Sequence, residues 1–221
     1  MLRLTMGNKA YSSWSLRGWL AVRQSGLPFE ETVIPMDDEN WDKVRREGLL
    51  AVSGGKVPVL SDDELVIWDS LAIVEWLASK TDPALYWPRG DAARAMARSM
   101  AAEMHSSYPN LRGLYPMNVR KRFPPTEVRE EARGEIARIA ALWAEARSRY
   151  GSNGPYLFGD FGAADIMLAP VATRFDTYAI PLPPEAAAYR DAILAHPWMR
   201  EWIAAAHNEP WVIAQEEAPG G

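Results

Sequence analysis

None of the 221 residues is a cysteine. This excludes disulfides, thiolate metal sites and every mechanism in which the chain supplies its own sulfur nucleophile. Any thiol chemistry must therefore use a bound thiol. Histidine is scarce as well: only His105, His196 and His207 occur, no two of them at helical ligand spacing, so no metal site is expected. Positive charge is in deficit. The 24 Lys and Arg against 29 Asp and Glu leave a formal charge of −5, which offers no field to a phosphate backbone, and no nucleic-acid partner is expected. Long apolar runs are missing too. Nothing approaches the roughly 20 residues of a membrane span, and Met1 to Asn8 has neither a basic stretch nor an apolar one. The expectation is a soluble, cytoplasmic protein with no membrane partner.

What remains is ordinary globular material. Hydrophobic residues at 48% are enough for a full core in one large domain or two small ones. The second half, rich in Ala, Leu, Glu and Arg, favours helix. Leu2 to Met6 alternates like a short strand, Gly7 to Ser13 is a loop by composition, and Trp14 to Gln24 has a helical pattern stopped by Gly26 and Pro28. Phe29 to Ile34 follows as a second strand. After a weak helical stretch around Trp41 to Glu47, the Gly54-Gly55 pair leads into a hairpin, Val57 to Leu60 and Leu65 to Ile67. Trp68 to Lys80 is a helix opened by Asp69 and Ser70.

The stretch 81–90, with Pro83 and Pro88, is the natural linker, so the organisation predicted is a domain over 1–80 and a second over 91–221. Beyond the linker only helical periods occur: Asp91–Leu114, Pro125–Tyr150, Ala163–Tyr178, Pro184–Ala195 and Trp198–His207. The ten tryptophans are expected mostly in the core, and Ala214 to Gly221 reads as a loose tail.

A βαβ-ββα half followed by an all-helical half resembles the glutathione transferase family. The stretches that carry the resemblance are YSSWSLR at 11–17, GKVPVL at 55–60, DSLAIVEWL at 69–77 and FGAADIMLAP at 161–170, in that order. The resemblance implies an α/β thioredoxin-like N-terminal domain plus an all-α helical C-terminal domain, with glutathione as cosubstrate, a small hydrophobic electrophile as partner, and a homodimer.

It also implies site residues. Pro58 would be cis, turning the Val57 backbone toward the cysteinyl unit of glutathione. Asp69 and Ser70, at a helix N-terminus where free amides favour an anion, would take the γ-glutamyl group; plain N-capping is the alternative. Lys56 is either a partner of the glycyl carboxylate or a solvated lysine. A thiol with an ordinary pKa near 8.5 is mostly protonated at neutral pH, so a hydroxyl at the start of the first helix is needed to favour thiolate. YSSWSLR resembles the zeta-type Ser-Ser-Cys-Ser-x-Arg pattern of bacterial-type, serine-dependent members. Aligned through Arg17, the thiolate partner is Ser12, with Ser13 as runner-up and Tyr11 as a wall of the substrate pocket. Trp14 replaces the cysteine of that pattern, a departure that weighs against the isomerase activity of the zeta class. Arg17 would brace the site.

On the substrate side, the helix predicted over 91–114 carries Glu103, His105, Tyr108 and Arg112, with His105 and Tyr108 on one face at i, i+3. FGAADIMLAP resembles the family's buried capping motif, Gly162 standing where Ser or Thr is usual. Three activities remain open at this stage. They are conjugation, a reaction that uses glutathione catalytically (isomerisation, dehalogenation or ether cleavage), and a non-catalytic module like that of elongation factor gamma subunits.

Overall fold

The computed structural model describes residues 1–36 and 41–217, and over these the chain is an α/β layer joined to a bundle of helices. The first part runs β1 (Leu2–Met6), α1 (Ser13–Ser25), β2 (Phe29–Val33), α2 (Trp41–Val44), α3 (Gly48–Val52), β3 (Val59–Asp62), β4 (Leu65–Trp68) and α4 (Ser70–Lys80). Its sheet has the order β2-β1-β3-β4, with β1 parallel to β2 and the other pairs antiparallel. A parallel neighbour requires a crossover, and α1 supplies it. Leu4 and Met6 on β1, and Val59 and Leu60 on β3, are fully buried.

The second part contains α5 (Asp91–Ser106), α6 (Pro109–Leu114), α7 (Glu130–Tyr150), α8 (Ala163–Thr177), α9 (Pro184–Ala195) and α10 (Pro197–His207). Helix α8 is buried on nearly every face, and α1 packs on α4, α8 and α10. The two parts thus share one apolar core, with Trp19 of α1 against Trp202 of α10 at 5.4 Å. The segment after α4 is held against α1. Tyr86 is 1% exposed and its hydroxyl donates to the Ala21 carbonyl at 2.7 Å.

Two glycines mark close approaches. A Cβ on Gly18 would stand 2.7 Å from the Pro58 ring, so α1 can lie on the 57–58 segment only with glycine there. A Cβ on Gly162 would stand 2.9 Å from the Tyr86 carbonyl, which accepts the Ala163 N–H instead. That contact explains the missing hydroxyl in the capping motif. Asp165 does the capping alone, accepting from the Gly162 and Leu157 amides at 3.0 and 3.1 Å and from the Tyr189 hydroxyl at 2.8 Å.

Four expectations need correction. The helix predicted over 91–114 breaks at Ser107 and Tyr108, because Pro109 disfavours helical backbone before it and starts α6 afresh. Helix α7 begins at Glu130 rather than Pro125, its predicted first turn being extended chain. Of the ten tryptophans only Trp19, Trp87, Trp143 and Trp202 are buried. The tail is docked as far as it is described: Ala214–Glu216 is a 3₁₀ turn, and the Glu217 carboxylate accepts from the Asn118 amide at 2.9 Å. Residues 218–221 lie outside the described residues. Among those described, no helix is long and apolar enough to cross a membrane.

Candidate functional site

A cleft of about 830 Å³ lies where the start of α1, the 53–58 loop and the start of α4 face α5, α6 and α8. Most of the side chains singled out from the sequence line it, but Arg17, Glu103 and Tyr108 do not. Tyr108 is carried away by the helix break. It sits at φ 66° in the break between α5 and α6, is 5% exposed, and donates its hydroxyl to Glu103 at 2.5 Å. Its predicted i, i+3 partnership with His105 required an unbroken helix and does not form.

The α1 end is set by a short chain of hydroxyls. Ser12 is the N-cap, its oxygen accepting the Ser15 N–H at 3.2 Å while its own proton goes to Ser15 Oγ at 2.8 Å. Ser15 Oγ also accepts the Gly7 N–H. Ser13 is the first residue of the helix, and its oxygen accepts from Arg174 Nη2 at 3.3 Å. Among the described residues its proton has no acceptor in that arrangement. Tyr11 is occupied elsewhere, donating to Glu217 and accepting from Arg120, with burial as the main cause of its raised pKa.

Across the cleft the Val57–Pro58 peptide is cis. Lys56 is exposed, its backbone fixed by Ser53, whose hydroxyl donates to the Lys56 carbonyl at 2.6 Å and accepts its N–H at 3.1 Å. At α4, Asp69 adopts φ 73°, a left-handed backbone that costs a non-glycine residue energy. One oxygen caps the Leu71 N–H at 2.8 Å and the other meets His105 Nε2 at 2.7 Å. Ser70 follows as the first helical residue, 1% exposed, its hydroxyl without a hydrogen-bond partner among the described residues.

Several lining residues were not anticipated. Met36, Trp41, Trp68, Pro116 and Met117 wall the cleft with apolar surface, Glu216 reaches it from the terminal turn, and Arg174 enters from deep in α8. Among the described residues no cluster of three or more His, Asp or Glu could hold a metal.

A thioredoxin-like layer with a cis-proline packed against Gly18 of α1, joined to a helical bundle, defines the class of thioredoxin-like proteins with an added helical domain. Comparison narrows it. Residues 11–80 match the glutathione S-transferase N-terminal domain, and residues 126–205 match the glutathione S-transferase C-terminal domain. The chain belongs to the glutathione transferase family. Glutathione S-transferase 4 of Zea mays is 36% identical over 76 residues, 34% of this chain and 33% of that protein, so the similarity spans about a third of the curated relative's length. Among solved structures, a Burkholderia glutathione transferase homolog with bound glutathione is 20% identical and superposes with a TM-score of 0.65, covering 93% of this chain and 97% of that one. The theta class enzyme of Xanthomonas axonopodis pv. citri, with glutathione bound, is 23% identical at a TM-score of 0.64, covering 91% and 96%.

Proposed function

We propose that this chain is a glutathione transferase that adds the thiolate of bound glutathione to a small, largely apolar electrophile. The observation that carries the reading is the buried Ser70 hydroxyl, unpartnered at the N-terminus of an 11-residue helix and facing a cleft with a second serine, Ser13, at the start of α1. A helix N-terminus and a free hydroxyl donor suit the γ-glutamyl carboxylate. Asp69 stands beside it for the ammonium, the 57–58 backbone for the cysteinyl unit, and Lys56 at the rim for the glycyl carboxylate. Relatives solved with glutathione bound support the cosubstrate. The domain limits 1–80 and 91–221, and a homodimer, are part of the same proposal.

The hydrogen bonding favours Ser13 over Ser12 as the thiolate partner. Ser12 spends both its lone pair and its proton on Ser15, whereas Ser13 has a cation on its oxygen and a proton to donate. A guanidinium on the oxygen makes the hydroxyl a better donor. Ser12 then keeps α1 capped, and the helix end adds its own positive dipole.

The test is the pH dependence of glutathione thiolate absorbance and of kcat/KM. Ser13→Ala raises the bound thiol's pKa, each unit being about 1.4 kcal/mol of lost thiolate preference, and part of the lost rate returns at higher pH. Ser12→Ala costs about 1 kcal/mol of stability through its cap and leaves the profile in place. The reverse pattern returns the role to Ser12. Failure of immobilised glutathione to retain the wild-type protein removes the whole reading.

A further inference from the structure

Two guanidinium groups line the cleft, with a third buried close to them, and among the described residues none of the three has an ion-pair partner. Arg17 is 0% exposed: Nε donates to the Met167 carbonyl at 2.8 Å, and among the described residues Nη1 and Nη2 have no hydrogen-bond partner. Arg112, which lines the cleft, donates only to the Met104 and Ser107 carbonyls. Arg174, 4% exposed, donates to the Tyr115 and Pro170 carbonyls and to Ser13. Arg17 and Arg112 both lie over the Trp14 ring, at 4.6 and 4.7 Å.

The acids nearby are committed or distant. Asp69, which favours the charge on Arg17, is bonded to His105 and to the Leu71 amide. Glu135, which favours the charge on Arg112, accepts from the Asn110 side chain and the Leu111 amide. Glu216 acts on Arg174 only through space. Among the described residues no carboxylate oxygen touches any of the three arginines. Burial and mutual repulsion therefore weigh on the cluster: Arg17 is lowered by burial, then by Arg112 and Arg174, and burial and Arg112 hold Arg174 down at about 10. Buried cations left uncompensated are costly, and planar guanidinium donors suit carboxylates.

We propose that the electrophile carries a carboxylate, held at the cleft end by Arg112 and Arg174 with Arg17 behind them. This rests on the transferase reading above. Glutathione has carboxylates of its own, and the start of α4 serves one of these, whereas Arg174 touches Ser13 on the side assigned to the sulfur. An anion there lies within a few atoms of the attacked carbon. Apolar walls and a cationic end together describe an amphiphilic acid rather than a neutral hydrophobe.

The test measures binding, by calorimetry, of 4-chloro-3,5-dinitrobenzoate and of its methyl ester to protein saturated with S-methylglutathione, which fills the cosubstrate site without reacting. The acid binds wild type at least about tenfold more tightly than the ester, and Arg112→Gln brings the two within about threefold while the affinity for S-methylglutathione is unchanged. Arg112→Lys, which keeps a cation and is the second variant should the glutamine form not fold, retains part of the preference. Competition in wild type adds a readout without substitution: benzoate displaces the acid and benzamide does not. Equal affinity for acid and ester overturns the proposal, as does an undiminished preference in Arg112→Gln. A loss of S-methylglutathione binding in Arg112→Gln, with the acid's preference intact, assigns the arginine to glutathione instead. If wild type does not bind S-methylglutathione, the transferase reading fails by itself, and the acid-to-ester ratio is read on the unliganded protein.

Discussion

Asp165 illustrates how a single carboxyl answers to its surroundings. It is 1% exposed, and burial pushes its pKa up to about 6, although the Leu157 and Gly162 amides and the Tyr189 hydroxyl all pull it down. An unfolded Asp titrates near 3.9. The folded chain therefore holds this proton more tightly than the unfolded one, so the group's favourable contribution is full below about pH 4, declines as pH rises to about 6, and is flat beyond, a change of up to about 3 kcal/mol. Asp165→Asn loses the acceptor for the Gly162 amide, costing about 1–3 kcal/mol throughout, but it also loses that slope. Denaturant unfolding at pH 4, 5, 6 and 7 checks this: the stability difference between wild type and variant shifts in the variant's favour from pH 4 to 6. A difference that stays constant would remove the charge argument. Residue-scale reading has a limit at the two serines. Sequence alignment through Arg17 favours Ser12; its N-cap contact with Ser15 is local, at i, i+3, but the contact of Ser13 with Arg174 spans 161 residues and cannot be read from local spacing.

At the scale of elements, α1 is pinned by its neighbours more than by its own propensity. Gly18→Ala would gain up to about 1 kcal/mol of helix propensity, yet the new methyl would overlap the Pro58 ring at 2.7 Å. Overpacking of this kind costs about 1–3 kcal/mol, and it would also displace the 57–58 segment from the cleft. A thermal melt with and without glutathione should show a lower midpoint and a smaller stabilisation by ligand; an unchanged ligand shift would mean that the segment does not hold the tripeptide. The strands, α1 and α4 were legible because periodicity and capping residues announce them. The break before α6 was legible too, since Pro109 is a strong stop, and treating 91–114 as continuous ignored it. The arginine cluster was not. Arg17, Arg112 and Arg174 are far apart in the chain, and only the packing of α1, α6 and α8 brings them together. Glu216 was hidden for a related reason, because a Pro- and Gly-rich composition after it suggested a loose end rather than a docked turn.

At the scale of the whole molecule, the two domains are tied through α1. Arg17 and Gln24 reach the carbonyls of Met167 and Phe161, Trp202 donates to the Lys9 carbonyl at 2.9 Å, and the Glu209 carboxylate accepts the Lys9 and Ala10 amides. The apolar surface left over includes Leu65 and Trp68 on β4, 44% and 47% exposed. A homodimer is the expected state, and chromatography with light scattering checks it; a mass near 24.7 kDa at micromolar concentration would mean a monomer. The terminal turn has a practical side. Glu217 is fastened to Tyr11, Asn118 and Lys121 at the rim of the cleft. Any group attached close behind Glu217 would start beside the opening, so slow turnover in such a preparation would report on the attachment as much as on the protein. The exposed amine of Met1, which meets Asp62 and Asp63, is by contrast the sounder place for immobilisation in kinetic comparisons of variants.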